Sequence, residues 1–410
     1  MTTKRRSVDE VWVAEPENWT DGPPHELFRE LRSECPVHWS GGMSEWPEEA
    51  GYWSLTRAED IQSVSRDWRT YSSFLGGITI SRYGAPLEMV RQEFIAMDPP
   101  RHDRIKALFQ AGFTPRRIAE QEPAVRAIVT RVLDKLDGRE RCDLVTEVAK
   151  PVVGRVIGTF VGIPEEDDQD WADLINATMG FEDEEMRDGR DMDALLAGVV
   201  ERSQQLVDAR REQPAEDLAS TLVHAEVEGG RLSDEEILSG IQLLMEAGLD
   251  STKAVYCSGM RALMENPDQR KLLLDDPSLI PSAVEESLRM FPAFSHMRRT
   301  ATCDTELAGQ KIKKGDKVVM WYPSSGRDEA VYEDPDRFDV TRNPDHQAFG
   351  AGGRHFCLGF ALARLELNVL LEETLKRYPE MEIDGEPLMA ESTFINQLKT
   401  LPVKLGPRGS

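Results

Sequence analysis

The chain alternates between long segments of helical periodicity and a few short apolar runs. In the long segments, apolar residues recur every three or four positions, which places them on one face of a helix. This spacing predicts helices over residues 25–34, 115–137, 143–160, 194–211, 233–265 and 360–377. Strand-like runs lie near the two ends of the chain, at Gly51 to Thr56, Lys317 to Tyr322 and 396–405. We expect the first run to pair with a strand that forms late in the chain.

Many helices with a small separate sheet indicate a mainly α (α+β) architecture. The 410 residues could hold two or three ordinary domains. However, no Gly/Ser-rich or Pro-rich linker and no internal repeat divides them, and we interpret segments 85–100 and 165–190 as loops between helices. We therefore expect a single domain over residues 1–410, of which 406–410 resemble a cloning remnant.

The longest predicted helix covers Ser233 to Glu265. Ser233 and Glu236 have the spacing of a capping box, and Asn266-Pro267 marks the end. At ~1.5 Å per residue the helix would be on the order of 50 Å long, enough to cross a domain. Its middle reads Ala247-Gly248-Leu249-Asp250-Ser251-Thr252, where Gly lowers helix propensity and an acid stands beside two hydroxyls. Either a tolerated Gly lies beside a solvated Asp, or this segment carries chemistry.

A glycine-rich segment leads through Cys357 into the last long helix. It reads Phe349-Gly350-Ala351-Gly352-Gly353-Arg354-His355-Phe356-Cys357-Leu358-Gly359. Glycines let the backbone bend tightly and approach a flat partner. A cysteine at a helix start faces unpaired backbone N–H groups, which favour the thiolate. A lone cysteine is commonly a small buried hydrophobe, but a thiolate on such a loop is the axial ligand that a haem iron takes.

This segment resembles the cysteine-ligand loop of the cytochrome P450 family, the haem-thiolate monooxygenases. His355 stands two residues before the cysteine, and Gly353 four before it. Phe349-Gly350 lies one position further upstream than in the common form, which is similar to an actinobacterial subgroup acting on sterol side chains and branched lipids. The resemblance implies the cytochrome P450 fold and a haem b whose iron is bound by Cys357. It also implies that Phe349, Gly350, Gly353 and Gly359 contribute to the haem site.

A second motif is the pair Glu286 and Arg289. Residues three apart share a helix face, so the two side chains can pair. Alone, such a pair could be a solvated surface interaction of little energetic value. The segment resembles the family's Glu-x-x-Arg helix, which implies a structural role beneath the haem.

The centre of the long helix resembles the family's oxygen-activation motif. The resemblance implies that Ala247 lies at the haem and that Asp250 and Ser251 relay protons. The family usually has Thr where this chain has Ser251, which keeps the hydroxyl but loses the methyl group that restrains its rotamer. We expect a working relay with more uncoupling, and Thr252 offers a second hydroxyl about 100° further round the helix.

The resemblance also implies four partners for the haem propionates. His355 belongs to the cysteine loop, and Arg299 opens a family-like Arg-x-Ala-x-x-Asp run. His102 follows the family-like run 97–101, and Lys106 stands where Arg is usual. Lysine supplies charge without the bidentate fork of arginine.

Correspondence with the family also predicts a mostly apolar substrate pocket. Its predicted members are Phe74, Ile78, Phe94, Met179, Phe181, Leu243, Ala293, Phe294, His296, Phe394 and Ile395. Arg82, Tyr83 and His296 could supply a polar handle. Many of these positions would equally suit a core, but a hydrophobic ligand fits such a lining. The subgroup resemblance favours a steroid, terpenoid or fatty-acyl substrate.

The net charge and the spacing of the cysteines argue against several other classes of protein. The formal net charge of −25 disfavours binding to nucleic acid or to an anionic membrane surface. The five cysteines show no Cys-x-x-Cys spacing, which speaks against a structural zinc site or a disulfide framework. No run of ~20 apolar residues occurs, and no apolar core follows the basic residues 4–6 as in a signal peptide. We expect a cytoplasmic enzyme that is a monomer.

The resemblance implies that electrons come from a ferredoxin and its reductase. An acidic ferredoxin would need a local basic patch on this acidic protein. The cations predicted to form it are Arg101, Arg104, Lys106, Arg116, Arg342 and Arg354. Two alternatives remain: a peroxide-driven or partner-independent haem enzyme, such as a peroxygenase or isomerase, and a non-catalytic haem binder. The Asp250-Ser251 pair argues against both.

Overall fold

The computed structural model of the protein describes residues 12–41, 50–80, 85–110, 112–227 and 230–409. Its α-helices are α1 (His25–Glu34), α2 (Ala58–Arg66), α3 (Leu87–Val90), α4 (Arg101–Gln110), α5 (Pro115–Ala119), α6 (Glu122–Asp134), α7 (Lys150–Val161), α8 (Asp168–Met179), α9 (Glu184–Arg187), α10 (Met192–Glu212), α11 (Leu218–His224), α12 (Asp234–Glu265), α13 (Pro267–Asp275), α14 (Ile280–Met290), α15 (Tyr322–Ser325) and α16 (Phe360–Arg377). Its strands are β1 (Val37–Ser40), β2 (Tyr52–Leu55), β3 (Tyr71–Ser72), β4 (Arg141–Asp143), β5 (Glu226–Val227), β6 (Gly230–Arg231), β7 (His296–Ala301), β8 (Thr305–Leu307), β9 (Gln310–Ile312), β10 (Lys317–Trp321), β11 (Glu382–Ile383), β12 (Leu388–Met389), β13 (Leu398–Thr400) and β14 (Pro402–Lys404).

The largest sheet joins the two ends of the chain. Its strand order is β1-β2-β10-β7-β3. Strand β2 pairs in parallel with β10, with Tyr52 opposite Lys317, which confirms the predicted pairing of an early strand with a late one. Strand β7 was not predicted from the sequence, yet it pairs along its length with β10 and carries Arg299.

The central helix α12 organises the helical part. Its capping box is confirmed, because the Ser233 hydroxyl accepts the Glu236 N–H while the Glu236 carboxylate accepts the Ser233 N–H. The helix packs against α7, α8, α10, α14 and α16. A Cβ on Gly248 would lie 2.7 Å from an Ile157 side-chain atom on α7, so glycine allows the two helices to approach closely.

Four predicted segments, two helices and two loops, differ from the structure. Segment 115–137 forms two helices, α5 and α6, each with a proline in its first turn. Segment 143–160 starts as the end of β4 and a π-helical turn, Val145–Ala149, before α7 begins. The expected loop 165–190 contains α8 and α9, because Trp171, Ala172 and Ile175 form a buried helical face that the many acids obscure.

The expected loop 85–100 also contains short helices, α3 and a 3₁₀ turn at Phe94–Ala96. Within the described ranges, no helix combines the length and the apolar character needed to span a membrane.

Candidate active site

The cysteine loop is bent by glycines and fixed by backbone hydrogen bonds. The Cys357 N–H donates to the Phe349 carbonyl at 2.9 Å. Gly350 and Gly353 have φ values of +89° and +82°, which L side chains rarely adopt. At Gly353 a Cβ would also lie 2.6 Å from the Ser65 carbonyl oxygen, so this loop requires glycine there.

The Cys357 sulfur lies at the start of α16 and lines a deep internal cavity. Burial raises the pKa of the thiol, while N–H groups of Gly359 and Phe360 and the charges of Lys106 and Arg364 lower it. These N–H groups are the donors expected at a helix start. These groups stabilise the thiolate only in part, and a metal cation bound to the sulfur would complete its stabilisation.

The Glu-x-x-Arg pair is fully buried and fully hydrogen-bonded, unlike a surface pair. Arg289 donates from Nε and Nη2 to the two Glu286 oxygens, both at 2.7 Å. Arg289 also donates to the carbonyls of Gly326 and Pro335, and Glu286 accepts the Asp339 N–H. The pair thus ties α14 to the chain that follows α15, as its predicted structural role requires.

The neighbouring acid on α14 supports the cysteine loop directly. Glu285 accepts a bidentate pair of hydrogen bonds from Arg364 at 2.6 and 2.7 Å, and His346 lies 3.1 Å away. The Arg364 guanidinium lies 4.7 Å from the centre of the Phe349 ring. The Glu285 carboxylate thus connects α14 with His346, which precedes the cysteine loop, and with Arg364, which follows it.

On α12 the two predicted relay residues point to different surroundings. Ser251 and Ala247 line the cavity, and the Ser251 hydroxyl donates to the Ala247 carbonyl at 2.6 Å. Asp250 is not part of the cavity wall and forms a buried ion pair with Lys253 at 2.5 Å. Lys253 also donates to the Asn176 side chain at 2.6 Å. The hydroxyl therefore faces the cavity while the acid is held behind it.

Thr252 contacts an acid that the sequence analysis missed. Thr252 and Glu366, on α16, both line the cavity. Burial raises the pKa of Glu366 to about 8, and the nearby Thr252 side chain opposes part of this rise. Its Oε2 is buried without a hydrogen-bond partner among the described residues. The signal in the sequence was an acid placed directly between two leucines, Leu365 and Leu367, in the last predicted helix.

The four predicted propionate partners all line the cavity near the cysteine loop. The rings of His102 and His355 lie 4.4 Å apart, and His355 Nε2 is 3.2 Å from the Ser73 hydroxyl. Burial lowers the pKa of both imidazoles. Lys106 instead supports the loop, donating to the Arg354 and Phe356 carbonyls at 2.5 and 2.7 Å.

These residues fit a haem. Arg299 is buried, and within the described part of the chain its guanidinium forms no ion pair with a carboxylate. The Nδ1 atom of His355 is buried without a partner there. An anionic carboxylate group would satisfy both, on the same cavity wall as the Cys357 sulfur. Gly359 faces open space at its missing Cβ, which leaves room for a flat ring beside the sulfur.

Most of the residues predicted for the substrate pocket lie in the wall of this cavity. They are Ile78, Phe94, Met179, Leu243, Ala293, Phe294 and Phe394. Two others pack behind it: the Phe181 ring lies tilted against the Phe394 ring with their centres 6.3 Å apart, and Ile395 is fully buried in the core.

Two predicted pocket residues were wrong. His296 cannot serve as a polar handle, because its Nε2 accepts the Ile80 N–H at 3.0 Å and its Nδ1 is 2.8 Å from the Thr393 carbonyl. Phe74 is 37% exposed, with the Arg91 guanidinium 4.7 Å from its ring centre. Arg82 and Tyr83 lie outside the described residues.

Four of the six predicted docking cations reach the surface. Arg101, Arg104, Arg116 and Arg354 are exposed to different degrees, although each forms an ion pair with an acid of the chain. Lys106 is buried in the loop contact described above. Arg342 was also a wrong prediction, because its guanidinium binds Glu286 and three backbone carbonyls.

Comparisons with known proteins agree with this site. The family model for cytochrome P450 matches residues 181–405. Methyl-branched lipid omega-hydroxylase of Mycobacterium tuberculosis is 37% identical over 392 residues, covering 92% of this chain and 90% of that protein. Steroid C26-monooxygenase of Rhodococcus jostii is 32% identical, covering 95% of this chain and 83% of that protein.

A solved structure shows the same fold. A Mycobacterium marinum cytochrome P450 in complex with pseudoionone superposes with a TM-score of 0.91 at 33% identity, covering 98% of this chain and 100% of that one. With the cysteine loop and the buried Glu-x-x-Arg pair in place, the chain belongs to the cytochrome P450 family of haem-thiolate monooxygenases.

Proposed function

We propose that the enzyme hydroxylates hydrophobic small molecules of the steroid, terpenoid or fatty-acyl type. It inserts one oxygen atom of O2 into a C–H bond. The observation that carries the proposal is that the Cys357 sulfur and the Ser251 hydroxyl line one cavity whose remaining wall is mostly aliphatic and aromatic. The names of the relatives, a branched-lipid hydroxylase and a steroid monooxygenase, support the same substrate range.

The roles of individual residues follow from their positions. The haem, when bound, supplies dioxygen activation. Cys357 would hold its iron, while Arg299, His102 and His355 would hold its propionates. The apolar wall orients the substrate and excludes water from the reacting bond.

We assign proton delivery to the face of α12 that presents hydroxyl groups to the cavity. Ser251 presents its hydroxyl to the cavity, and Asp250 stands behind it as the acid that replenishes the proton. Thr252 with Glu366 forms a second hydroxyl–acid pair on the same wall. Because burial keeps Glu366 protonated near neutral pH, it can donate through Thr252.

Turnover with defined electron donors tests the proposal. The purified holoenzyme would be given a ferredoxin, its reductase and NADPH with a steroid, a terpenoid alcohol and a methyl-branched fatty acid. We expect a hydroxylated product from at least one class, with the new oxygen derived from ¹⁸O2. Consumption of NADPH without any oxygenated product across the panel would contradict it.

The electron donor is proposed to bind at the exposed cations near the cysteine loop. Arg354 is 53% exposed and Arg104 is 40% exposed. Reversing both charges with Arg104→Glu and Arg354→Glu should weaken donor binding and flatten the salt dependence of electron transfer. Lys271→Glu, a reversal at an exposed cation on α13, is the matched control. An unchanged salt dependence would exclude this surface.

A peroxide-driven reaction is the second candidate. The observation that favours it is the buried ion pair of Asp250 with Lys253, which holds the predicted relay acid away from the cavity. Product formation with hydrogen peroxide alone, at rates equal to the donor-dependent reaction, would establish this alternative.

We also propose that the enzyme is a cytoplasmic monomer and that residues 1–410 form a single domain.

A further inference from the structure

Two acidic side chains lie in the wall of the substrate cavity and take no part in the account so far. They are Glu246, one residue before Ala247 on α12, and Glu93, just before the 3₁₀ turn at Phe94–Ala96. Both line the same cavity as Ser251 and Phe94. We refer to Glu93 and Glu246 as the carboxyl pair.

Glu246 is a buried acid without a partner. Its exposed fraction is 9%, and within the described residues its carboxyl group makes no hydrogen bond or ion pair. Glu93 is half-buried, and its carboxyl group is equally unpaired within those residues. An acid in such surroundings costs stability unless a ligand or a proton satisfies it.

The two carboxyl groups are close enough to affect each other. Burial raises the pKa of both, and the charge of Glu246 raises the pKa of Glu93 further. No positive charge of the described chain opposes this rise for either residue. The cationic residues of the cavity wall are instead engaged at the haem end, as the contacts of Lys106 with the cysteine loop illustrate.

The backbone holds the carboxyl pair in place. The Ser239 hydroxyl on α12 donates to the Gln92 carbonyl at 2.9 Å, next to Glu93. Ser239 and Glu246 are two helical turns apart and share a face of α12. The Arg101 guanidinium fixes the Gln92 side chain at 2.7 Å. The segment carrying Glu93 is therefore tied to the helix face that carries Glu246.

We propose that the carboxyl pair binds a basic nitrogen of the substrate, so that the preferred substrates are hydrophobic molecules bearing an aliphatic amine. Because burial favours the protonated acids in the free protein, a bound amine takes a proton from the pair, and the resulting ammonium N–H donates a charge-assisted hydrogen bond to the carboxylate left behind. The apolar wall accommodates the hydrocarbon part. This inference rests on the proposed function and narrows its substrate class.

Equilibrium binding to the holoenzyme tests the inference without turnover. The probes are N,N-dimethyldecylamine, its carbon isostere 2-methyldodecane, and 1-dodecanol as a neutral hydrogen-bonding molecule. We expect the amine to bind at least tenfold more tightly than either neutral probe. Equal affinity for dodecanol would overturn the proposal, because it would mean that the pair shares a proton and recognises a hydroxyl group.

Matched variants locate the effect. Glu246→Gln keeps the shape of the side chain and should remove the amine preference, and Glu93→Gln should reduce it. Glu235→Gln, an exposed acid in the first turn of the same helix, should leave it unchanged. A preference that survives in Glu246→Gln, including one due to nitrogen binding to the iron, would overturn the proposal.

The outcome separates this inference from the proposed function. Binding needs neither electron donor nor dioxygen, so a missing amine preference refutes the carboxyl pair even if hydroxylation occurs. Conversely, an amine preference without any oxygenated product would leave the carboxyl pair intact and refute the proposed function. The carbon monoxide difference spectrum of each variant shows that the haem site is intact.

Discussion

Glu286 and Glu246 are both buried acids on helices that pack together, yet their surroundings are opposite. Glu286 on α14 receives two hydrogen bonds from Arg289 and one from the Asp339 N–H. Glu246 on α12 has no such partner within the described residues and faces the cavity. A satisfied buried acid stabilises the fold beneath the haem, whereas an unsatisfied one at a cavity is a binding group that carries a cost in stability.

The largest expected effect concerns Glu286, the buried acid whose hydrogen bonds are satisfied. Arg289→Ala leaves Glu286 buried without its main partner, and we expect a loss of about 3–5 kcal/mol in unfolding free energy. Guanidinium denaturation of the holoprotein, with haem content as a second readout, measures it. Arg261→Ala, which breaks an exposed pair with Glu265 on α12, is the control and should cost well under about 1 kcal/mol. Equal losses would contradict the structural role of the pair.

Replacing Glu246, the buried acid without a partner among the described residues, should change the unfolding free energy in the opposite direction. Glu246→Leu removes an unpaired buried carboxyl group and adds apolar contact, so we expect a gain of about 1–3 kcal/mol in unfolding free energy. The same denaturation experiment measures the gain. Glu286→Leu is the paired control and should lose stability, since it strands Arg289. If Glu246→Leu lost as much stability as Glu286→Leu, the two acids would not differ in their contribution to stability, contrary to this account.

Glu285 provides a pH-dependent test of the scaffold. Burial alone would raise its pKa, but hydrogen bonds from Arg364 and His346 lower the pKa to about 2. Because the folded protein favours the carboxylate, this stabilisation is present above the ordinary pKa of about 4.5 and is lost as the pH falls toward 2. Glu285→Gln should cost about 1 kcal/mol at pH 7, since Arg364 is partly solvated.

The measurement is the difference in unfolding free energy between wild type and Glu285→Gln at several pH values. We expect the difference to shrink below about pH 4.5. A constant difference from pH 7 to pH 3 would show that the carboxylate charge does not contribute to stability.

The smallest expected effect concerns Ser251. Ser251→Thr restores the methyl group that restrains the hydroxyl rotamer, so product formed per NADPH consumed should rise by about twofold, which is under about 1 kcal/mol. Ser251→Ala should lower this ratio and raise hydrogen peroxide release. The ratio is measured from NADPH loss, product and peroxide in one reaction. No change in either variant would exclude Ser251 from proton delivery.

The sequence predicted those features that have a local signature. The capping box at Ser233 and Glu236, the cysteine loop and the helix 360–377 are set by residues close together in the chain, and the structure has them. The pairing of β2 with β10 was also predictable, because apolar strand-like runs were few. Strand β7 was missed, since its charged residues 298–299 break the apolar pattern.

The polar contacts of the site depend on residues far apart in the chain. The proximity of Thr252 to Glu366 and of Glu93 to Glu246 arises only when distant segments pack together. His296 was misassigned because its bonds to Ile80 and Thr393 come from distant segments. The ion pair of Asp250 with Lys253, three residues apart on one helix, had a local signature that the sequence analysis overlooked.

The central claim is that the Cys357 thiolate is the axial ligand of a haem. The most direct measurement is the absorption spectrum of the dithionite-reduced protein with and without carbon monoxide, for wild type and Cys357→Ser. The account predicts a strongly red-shifted Soret band in the wild type and its absence in the variant. A red-shifted band that persists in Cys357→Ser, or a wild type that binds haem without the shift, would contradict it.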